Sequence, residues 1–285
     1  MDEVSRSVKT KRIIFCTYSS LYSSIVLEQL IANESVDVVA IINSIRVIHP
    51  KYGFIRGGLK QIQLSGLRYA SYLFMVTDLF RWLQPLSKLT KLNLKKSVHR
   101  LAIQHSIPLL DTQDINRTEA INFIEQRKPD YLLASHFNQL VKPAVLDLTD
   151  VESINIHPSI LPSYKGVDPV FHALLDQKTK IGVTLHKMSD DFDSGEILDQ
   201  KTISADTEHS VCFYNCQLFE EGAKLAIDWV NAKTPGKNSV DISASNSSDS
   251  NNFDQSYDSW PSRAQIKQYK QSGKQLIDLS ELWNR

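Results

Sequence analysis

The chain has 285 residues, of which 42% are hydrophobic and 22% are charged, so it can bury a sizeable core. Its 32 basic and 32 acidic residues cancel, and the chain as a whole therefore shows no general attraction for a polyanion. The longest apolar stretch, YASYLFMVTDLF, is too short to cross a bilayer and contains Asp78, which excludes a transmembrane helix.

The N-terminus and the cysteines favour a cytoplasmic protein. The first twelve residues, MDEVSRSVKTKR, are charged and lack the apolar segment of a secretion signal. Cys16, Cys212 and Cys216 are too few and too irregularly spaced for a disulfide framework, and we expect them to be buried apolar side chains. The expected location is the reducing cytoplasm.

Apolar segments alternate with amphipathic segments along most of the chain. RIIFCTY (12–18) and VDVVAIIN (36–43) are predicted strands, and the helical pattern SSIVLEQLIAN lies between them. Further along, AINFIEQRK and VKPAVLDL predict helices, whereas PDYLLASHF and ESINIH predict strands. Continuous apolar strands separated by helices indicate an α/β fold with a mostly parallel sheet flanked by helices.

The last third of the chain divides into three parts. Residues 182–203 read as two strands joined by an acidic loop, and 209–232 as a helix, which completes a catalytic domain over 10–233. Residues 234–256 are rich in Ser, Asn and Asp and predict a flexible linker. Residues 257–285 predict a helical appendage, with Ser262 as N-cap and Gly273 as helix stop.

A helical insert over 44–96 departs from this regular alternation. It contains ten Lys or Arg residues and a single acidic residue, Asp78, together with many aromatic and aliphatic residues. Such a segment can bind a membrane surface, an anionic acceptor or RNA. The alternative is a pair of helices that packs an apolar face on the core and leaves a basic face in solvent.

Asn155 and His157 stand at the carboxyl end of the predicted strand ESINIH. Because alternate side chains of a strand point to the same face, both side chains lie on one side and Ile156 on the other. Ligands of open α/β sheets bind outside the carboxyl ends of the strands, so this pair marks a candidate site.

Two stretches carry a family resemblance. INIHPSILPSYKG, followed by GVTLHKMSDDFDSGEILDQ, resembles the 10-formyltetrahydrofolate-dependent formyltransferases, which act on glycinamide ribonucleotide, methionyl-tRNA or amino sugars. The matching positions are Asn155, His157, Pro158, Ser159, Ile160, Leu161, Pro162, Gly166, Gly182, His186, Asp193 and Gly195. The resemblance covers roughly 12–232 apart from the insert, and implies a Rossmann-like formyltransferase fold.

The resemblance implies that Asn155, His157 and Asp193 are catalytic. Asn155 would donate a hydrogen bond to the oxyanion formed from the formyl oxygen, and protonated His157 would supply a second donor. Asp193 would hold the imidazolium and take the proton that leaves the attacking amine, through a water molecule. Since these three protein groups handle the developing charge, we expect no metal.

The resemblance also assigns binding residues. The positions that match the pterin-contacting backbone are Asn138, Gln139, Leu140 and Val141, and the loop with Ser189, Asp190 and Asp191 would close over the other side of the pterin of 10-formyltetrahydrofolate. Candidate acceptor-binding residues are Ser159, Tyr164, Lys165, Gly166 and His186. Of these, His186 can equally support the acidic loop, and Lys165 can equally be a solvated loop cation.

Departures from the family pattern bear on the acceptor. Members acting on glycinamide ribonucleotide have a glycine-rich phosphate loop after the first strand, whereas this chain has CTYSSLYSS. Methionyl-tRNA formyltransferases usually carry a C-terminal β-barrel, which the residues after 233 are too few to form. We therefore expect N-formylation of a small, anionic acceptor, a nucleotide-linked amino sugar, with methionyl-tRNA as the alternative. Hydrolysis of formyltetrahydrofolate, a non-enzymatic binding role and a peripheral membrane or protein contact through 44–96 remain open.

Overall fold

The computed structural model describes residues 10–48, 51–79, 96–206, 208–232 and 257–283. A seven-stranded sheet forms its centre, in the order β3-β2-β1-β4-β5-β7-β8. The first five strands of that order are parallel, and β7 and β8 are antiparallel additions at one edge. Their bounds are β1 Lys11–Thr17, β2 Val36–Ser44, β3 Leu109–Thr112, β4 Tyr131–Ser135, β5 Glu152–His157, β7 Lys180–Lys187 and β8 Ile197–Ser204.

Helices cover both faces of the sheet, which confirms the predicted α/β class. Both faces of the sheet are apolar, as the side chains of β1 show. Ile13 and Phe15 belong to the buried cluster on one face, whereas Ile14 and Cys16 belong to the cluster on the other. The helices of the sheet region are α1 Leu21–Ala32, α3 Val98–Gln104, α4 Thr118–Glu125, α5 Pro143–Leu146, α6 Pro169–Leu175 and α7 Val211–Ala232. Cys16, Cys212 and Cys216 are buried and free.

The insert begins one residue later than the sequence predicts, because Ser44 is the last residue of β2. Its main element is α2, Phe54–Phe74, which continues as a single π-helical turn over Met75–Leu79. Gly66 has a φ of 86° inside α2 and divides it into two segments. The second segment packs on the core through Tyr69 and Tyr72, whereas residues 80–95 of the insert lie outside the described residues.

The C-terminal residues pack on the domain next to α2. Strand β9, Tyr257–Asp258, pairs in parallel with β6, Lys165–Gly166. Helix α8, Arg263–Gln271, starts at Ser262 with a capping box completed by Gln265, and Gly273 follows it with a φ of 80°. A short helix, α9, spans Leu279–Trp283. The predicted linker over 234–256 lies outside the described residues.

Within the described ranges, no helix is both long enough and apolar enough to cross a bilayer.

Candidate active site

A cavity of about 910 Å³ opens at the carboxyl ends of β1, β4 and β5. Asn155, His157 and Asp193 all line it, although Asp193 is separated from the other two by more than thirty residues of sequence. The remaining walls come from the first turn of α1, from α2, from the loops after β4 and β6, and from residues 257–260. The structure therefore brings the predicted catalytic residues together at the predicted edge of the sheet.

The carboxamide of Asn155 is oriented by His186 on the neighbouring strand. The two residues are paired across β5 and β7, and Asn155 Nδ2 lies 3.0 Å from His186 Nε2. His186 Nδ1 donates to the carbonyl oxygen of Lys187 at 2.7 Å, which leaves Nε2 as the acceptor. One N–H of Asn155 is thus held by His186, and the other remains available for a ligand oxygen.

His186 is kept neutral by its surroundings. Burial, with the neighbouring His157 as a second cause, lowers the pKa of His186 to about 4. The contact with Asn155 requires a neutral ring. If Nε2 of His186 carried a proton, two N–H donors, that of Nε2 and that of Asn155 Nδ2, would face each other without an acceptor. In the structure His186 contacts the Asn155 carboxamide and lies near Asp193, and the acceptor-binding role stays a prediction.

Both ring nitrogens of His157 face oxygen atoms. Nε2 donates to the carbonyl oxygen of Tyr164 at 3.0 Å, and Nδ1 lies 3.4 Å from Oδ1 of Asp193. The contact with Tyr164 is a hydrogen bond, whereas the contact with Asp193 is an ion-pair distance. Because Tyr164 engages Nε2, Nδ1 is the nitrogen that His157 can offer to a reacting oxygen.

Asp193 is held by the loop that precedes α6 as well as by the histidines. Its Oδ2 accepts the backbone N–H of Gly166 at 2.9 Å, and its Oδ1 lies 3.8 Å from Nε2 of His186. Asp193 has a φ of 49°, a conformation that non-glycine residues adopt mainly at constrained sites. Nearby, a Cβ on Gly195 would collide with the carbonyl oxygen of Lys187, so the Asp-x-Gly pattern reflects close backbone packing.

The predicted acceptor-binding residues divide between the cavity wall and its support. Gly166 lines the cavity. Ser159 is buried in the turn after β5, where its carbonyl oxygen accepts from the Thr184 hydroxyl, and Tyr164 donates its hydroxyl to Asp176. Ser159, Tyr164, Lys165 and His186 stand behind the lining of the cavity rather than in it.

The predicted folate loops lie on the same side of the sheet. Asn138 lines the cavity, whereas the Gln139 side chain is buried and donates to the Ser44 hydroxyl and the Thr112 carbonyl oxygen. Of this loop, Phe137 and Asn138 line the cavity, whereas Gln139, Leu140 and Val141 lie outside its lining. In the acidic loop, Ser189, Asp190 and Asp191 lie outside the cavity lining, which takes in Phe192 and Asp193.

Four backbone N–H groups of the turn between β1 and α1 already have acceptors within the protein. The N–H groups of Tyr18 and Ser19 donate to the His136 carbonyl oxygen and to Asn43 Oδ1. The N–H groups of Ser23 and Ser24 donate to the side chain and the carbonyl oxygen of Ser20. These N–H groups would form a phosphate cradle in a glycine-rich loop, and here they are satisfied by the protein.

Two walls of the cavity come from segments in which the sequence analysis named no site residues, although it offered the insert as a possible binding surface for an anionic acceptor. One is α2, which contributes Phe54, Ile55, Gly58, Leu59, Gln61 and Ile62. The other is the C-terminal segment, which contributes Tyr257, Ser259 and Trp260. The sequence predicted that the α2 residues form a helix, but it did not predict that they line the cavity. Both walls depend on how segments distant in sequence pack together.

His136 was also missed. Its Nδ1 donates to the Tyr18 carbonyl oxygen at 3.1 Å, and burial lowers its pKa, so the residue presents a neutral ring at the cavity. The predicted strand PDYLLASHF runs through this position, but β4 ends at Ser135 and His136 turns away with a φ of 51°.

Comparison with known proteins places the chain in a family. The model of the formyl transferase family, described as "Formyl transferase", matches residues 83–229, slightly more than half of the chain. The chain belongs to the formyl transferase family. This confirms the resemblance found in the sequence.

The curated relatives match over less than half of their length. The methionyl-tRNA formyltransferase of Thermotoga maritima is 31% identical over 133 residues, which are 47% of this chain and 42% of the relative. That of Geobacillus sp. is 33% identical over 136 residues, which are 48% and 43% of the two chains. The bifunctional polymyxin resistance protein ArnA of Wigglesworthia glossinidia brevipalpis is 32% identical over 107 residues, 38% and 16% of the two chains.

Solved structures share the fold. Phosphoribosylglycinamide formyltransferase from Bacillus halodurans superimposes with a TM-score of 0.53 at 16% identity, covering 78% of this chain and 94% of the other. Glycinamide ribonucleotide transformylase 1 from Symbiobacterium toebii gives a TM-score of 0.51 at 15% identity, covering 78% and 87%. The formyltransferase fold is therefore shown.

Proposed function

We propose that the protein transfers a formyl group from 10-formyltetrahydrofolate to a primary amine. The observation that carries this proposal is the convergence of Asn155, His157 and Asp193 on one cavity, with His157 Nδ1 lying 3.4 Å from Asp193 Oδ1. In the reaction, the amine nitrogen bonds to the formyl carbon, and the bond from that carbon to the folate nitrogen breaks. A formamide and tetrahydrofolate result.

Each residue has one task in this scheme. The free N–H of Asn155 and Nδ1–H of His157 stabilise the oxyanion, and Asp193 accepts the amine proton through a water molecule. The backbone over 138–141 and the loop 189–193 would hold the pterin between them. The folate nitrogen leaves with a proton in place of the formyl group.

We propose that the acceptor amine belongs to an amino sugar that is linked to a nucleotide. The satisfied N–H groups at the β1–α1 turn argue against the acceptor phosphate being held there. Aromatic rings of Tyr18, Tyr22, Phe54, Tyr257 and Trp260 line the cavity and suit the flat face of a base or a sugar ring.

A buried amide also supports a hydroxylated acceptor. Gln61 lines the cavity and donates to the Ser65 hydroxyl at 3.0 Å, but its Oε1 is buried without a hydrogen-bond partner among the described residues. A buried oxygen of this kind costs stability unless a ligand supplies a donor. A sugar hydroxyl would supply that donor.

The test is formation of tetrahydrofolate from 10-formyltetrahydrofolate, with a panel of nucleotide-linked amino sugars and a matched panel of their N-acetylated forms. Turnover is expected with a free amine only, and Asn155→Ala should lower kcat about 10²–10³-fold. Release of formate in the absence of any amine would instead identify a hydrolase. Failure to bind any folate would contradict the proposed function as a whole.

Methionyl-tRNA is the second candidate acceptor, favoured by the names of the curated relatives and by the basic residues of the insert. Activity that requires charged tRNA and falls steeply with salt would establish it. Charge reversal at Arg56 and Lys60 would then lower activity with tRNA, whereas activity with a small amine would change little.

A further inference from the structure

The first segment of α2 carries an apolar strip that is exposed at the mouth of the active-site cavity. Phe54, Ile55, Leu59 and Leu67 are 56%, 75%, 63% and 67% exposed. All four residues also line the cavity. Exposed apolar residues are ordinary when scattered, but Phe54, Ile55 and Leu59 lie within six residues on the first segment and Leu67 follows its kink at Gly66, all beside a binding site.

Basic residues flank this strip. An α-helix turns by about 100° per residue, so Ile55 and Leu59 lie side by side, and Arg56 and Lys60 follow them about 100° further round. Lys51 precedes the helix and Arg68 follows its kink, and both are exposed. Asp78 is the one acidic residue anywhere in 44–96.

The opposite side of the helix fixes this arrangement. Gly57 contacts Val47 so closely that a Cβ would collide with that side chain, and Gln61 and Ser65 are buried. At the kink, Arg263 of the C-terminal segment donates to the Ile62 carbonyl oxygen at 2.9 Å. The strip is therefore held outward by contacts on the other face.

We propose that this face of α2 docks on the surface of an anionic phospholipid bilayer. An apolar strip next to a row of cations, without carboxylates between them, is the pattern of a helix that lies in the membrane interface. Ile55 and Leu59 enter the headgroup region, and Lys51, Arg56, Lys60 and Arg68 contact lipid phosphates. The net charge of the chain is zero, so attraction to an anionic surface depends on local groups of cations such as this one.

Docking in this orientation places the cavity mouth at the bilayer surface. Phe54 and Leu59 are shared by the strip and the cavity lining, so no polar surface separates the two on α2. In the one step that rests on the proposed function, formyl transfer then takes place at the bilayer surface.

Vesicle sedimentation tests the docking independently of catalysis. The full chain is mixed with vesicles of phosphatidylcholine alone, or of phosphatidylcholine with phosphatidylglycerol, at low and at high salt. We expect binding to the anionic vesicles only, and weaker binding at high salt. The double variant Arg56→Glu, Lys60→Glu should bind at least tenfold more weakly, since each cation contributes about fivefold.

Matched variants distinguish vesicle binding through this face of α2 from vesicle binding through other parts of the surface. Ile55→Asp with Leu59→Asp should abolish vesicle binding, whereas Ile103→Asp with Leu279→Asp, exposed apolar residues elsewhere, should leave it unchanged. Lys178→Glu with Lys180→Glu is the control for charge. Circular dichroism and thermal unfolding of each variant show that the fold is retained.

Three results would overturn the proposal. The first is equal sedimentation with and without phosphatidylglycerol. The second is unchanged binding in both α2 double variants. The third is a dimer of the wild-type chain that Ile55→Asp with Leu59→Asp converts to a monomer, which would assign the strip to a second copy of the chain. Folate binding, measured separately, reports on the proposed function and not on docking.

Discussion

Asn155 donates one carboxamide N–H to Nε2 of His186 at 3.0 Å, and His186 can accept it because its other nitrogen donates to the Lys187 carbonyl oxygen. The carboxamide is thereby fixed before any ligand binds. Preorganised donors of this kind account for much of the catalytic effect of oxyanion sites.

Loss of the His186 ring should therefore lower kcat rather than weaken folate binding. In His186→Ala the carboxamide of Asn155 is free to rotate, and kcat should fall about tenfold, the equivalent of one hydrogen bond. His186→Gln restores an acceptor and should recover part of the loss. An unchanged kcat in His186→Ala, with normal folding, would contradict the positioning role.

The low pKa of His186 predicts a pH-dependent stability. Above about pH 6.5 the ring is neutral in both the folded and the unfolded chain. Between about pH 6.5 and the folded-state pKa of about 4, the unfolded chain binds a proton that the folded protein refuses. The contribution of His186 is thus present above pH 6.5 and is lost as the pH falls, by on the order of 3 kcal/mol in total.

Chemical denaturation of wild type and His186→Gln at pH 7 and near pH 4.5 measures this loss. The free energy of unfolding should fall more in the wild type than in the variant, because the variant lacks the titrating ring. Parallel decreases in the two proteins would show that other groups dominate.

Asp193→Asn keeps the size of the side chain and an oxygen for the Gly166 N–H, but removes the negative charge beside His157. The kcat for formyl transfer should fall about 10²–10⁴-fold, because the proton acceptor is lost and the imidazolium loses its counter-charge. Steady-state kinetics with saturating folate checks this. Asp228→Asn, an exposed carboxylate of α7 outside the cavity lining, is the control and should remain active.

Gln61→Leu tests the acceptor side of the cavity. If a hydroxyl of the acceptor donates to Oε1 of Gln61, the substitution should raise the acceptor KM about tenfold and leave the folate Kd unchanged. The unliganded protein should be at least as stable as wild type, because an unpaired buried oxygen is removed. A raised folate Kd would place Gln61 on the donor side instead.

Two adjacent glycines of α2 form a matched pair for stability. A Cβ at position 57 would collide with Val47, whereas the space around position 58 is open. Gly57→Ala should therefore destabilise the protein by about 1–3 kcal/mol. Gly58→Ala should stabilise it by roughly 0.5–1 kcal/mol, because alanine favours the helix. Thermal unfolding that ranks the two the other way would contradict the packing of α2.

The sequence analysis predicted most of the sheet because its strands are apolar and separated by regular helices. ESINIH, for example, is β5 without change, and the strand end placed Asn155 and His157 on the cavity. The local sequence pattern was enough for this prediction, because the alternation of side chains along a strand determines which of them share a face.

The remainder of the site depends on contacts between distant segments. The role of His186 depends on which nitrogen donates to the Lys187 carbonyl oxygen, and a sequence does not specify that choice. The engagement of His157 Nε2 by Tyr164 depends on the path of the loop after β5. The α2 wall depends on the close contact between Gly57 and Val47, which no spacing rule encodes.

The pairing of β9 with β6 has a consequence for the order in which the site is made. Gly166 supplies the N–H that holds Asp193, and the neighbouring Val167 N–H is held by the carbonyl oxygen of Asp258. During translation, Asn155, His157 and Asp193 all leave the ribosome some sixty residues or more before the strand that flanks this loop. A nascent chain therefore carries Asn155, His157 and Asp193 before this wall exists, and we expect formyl transfer to begin only after the last segment has docked.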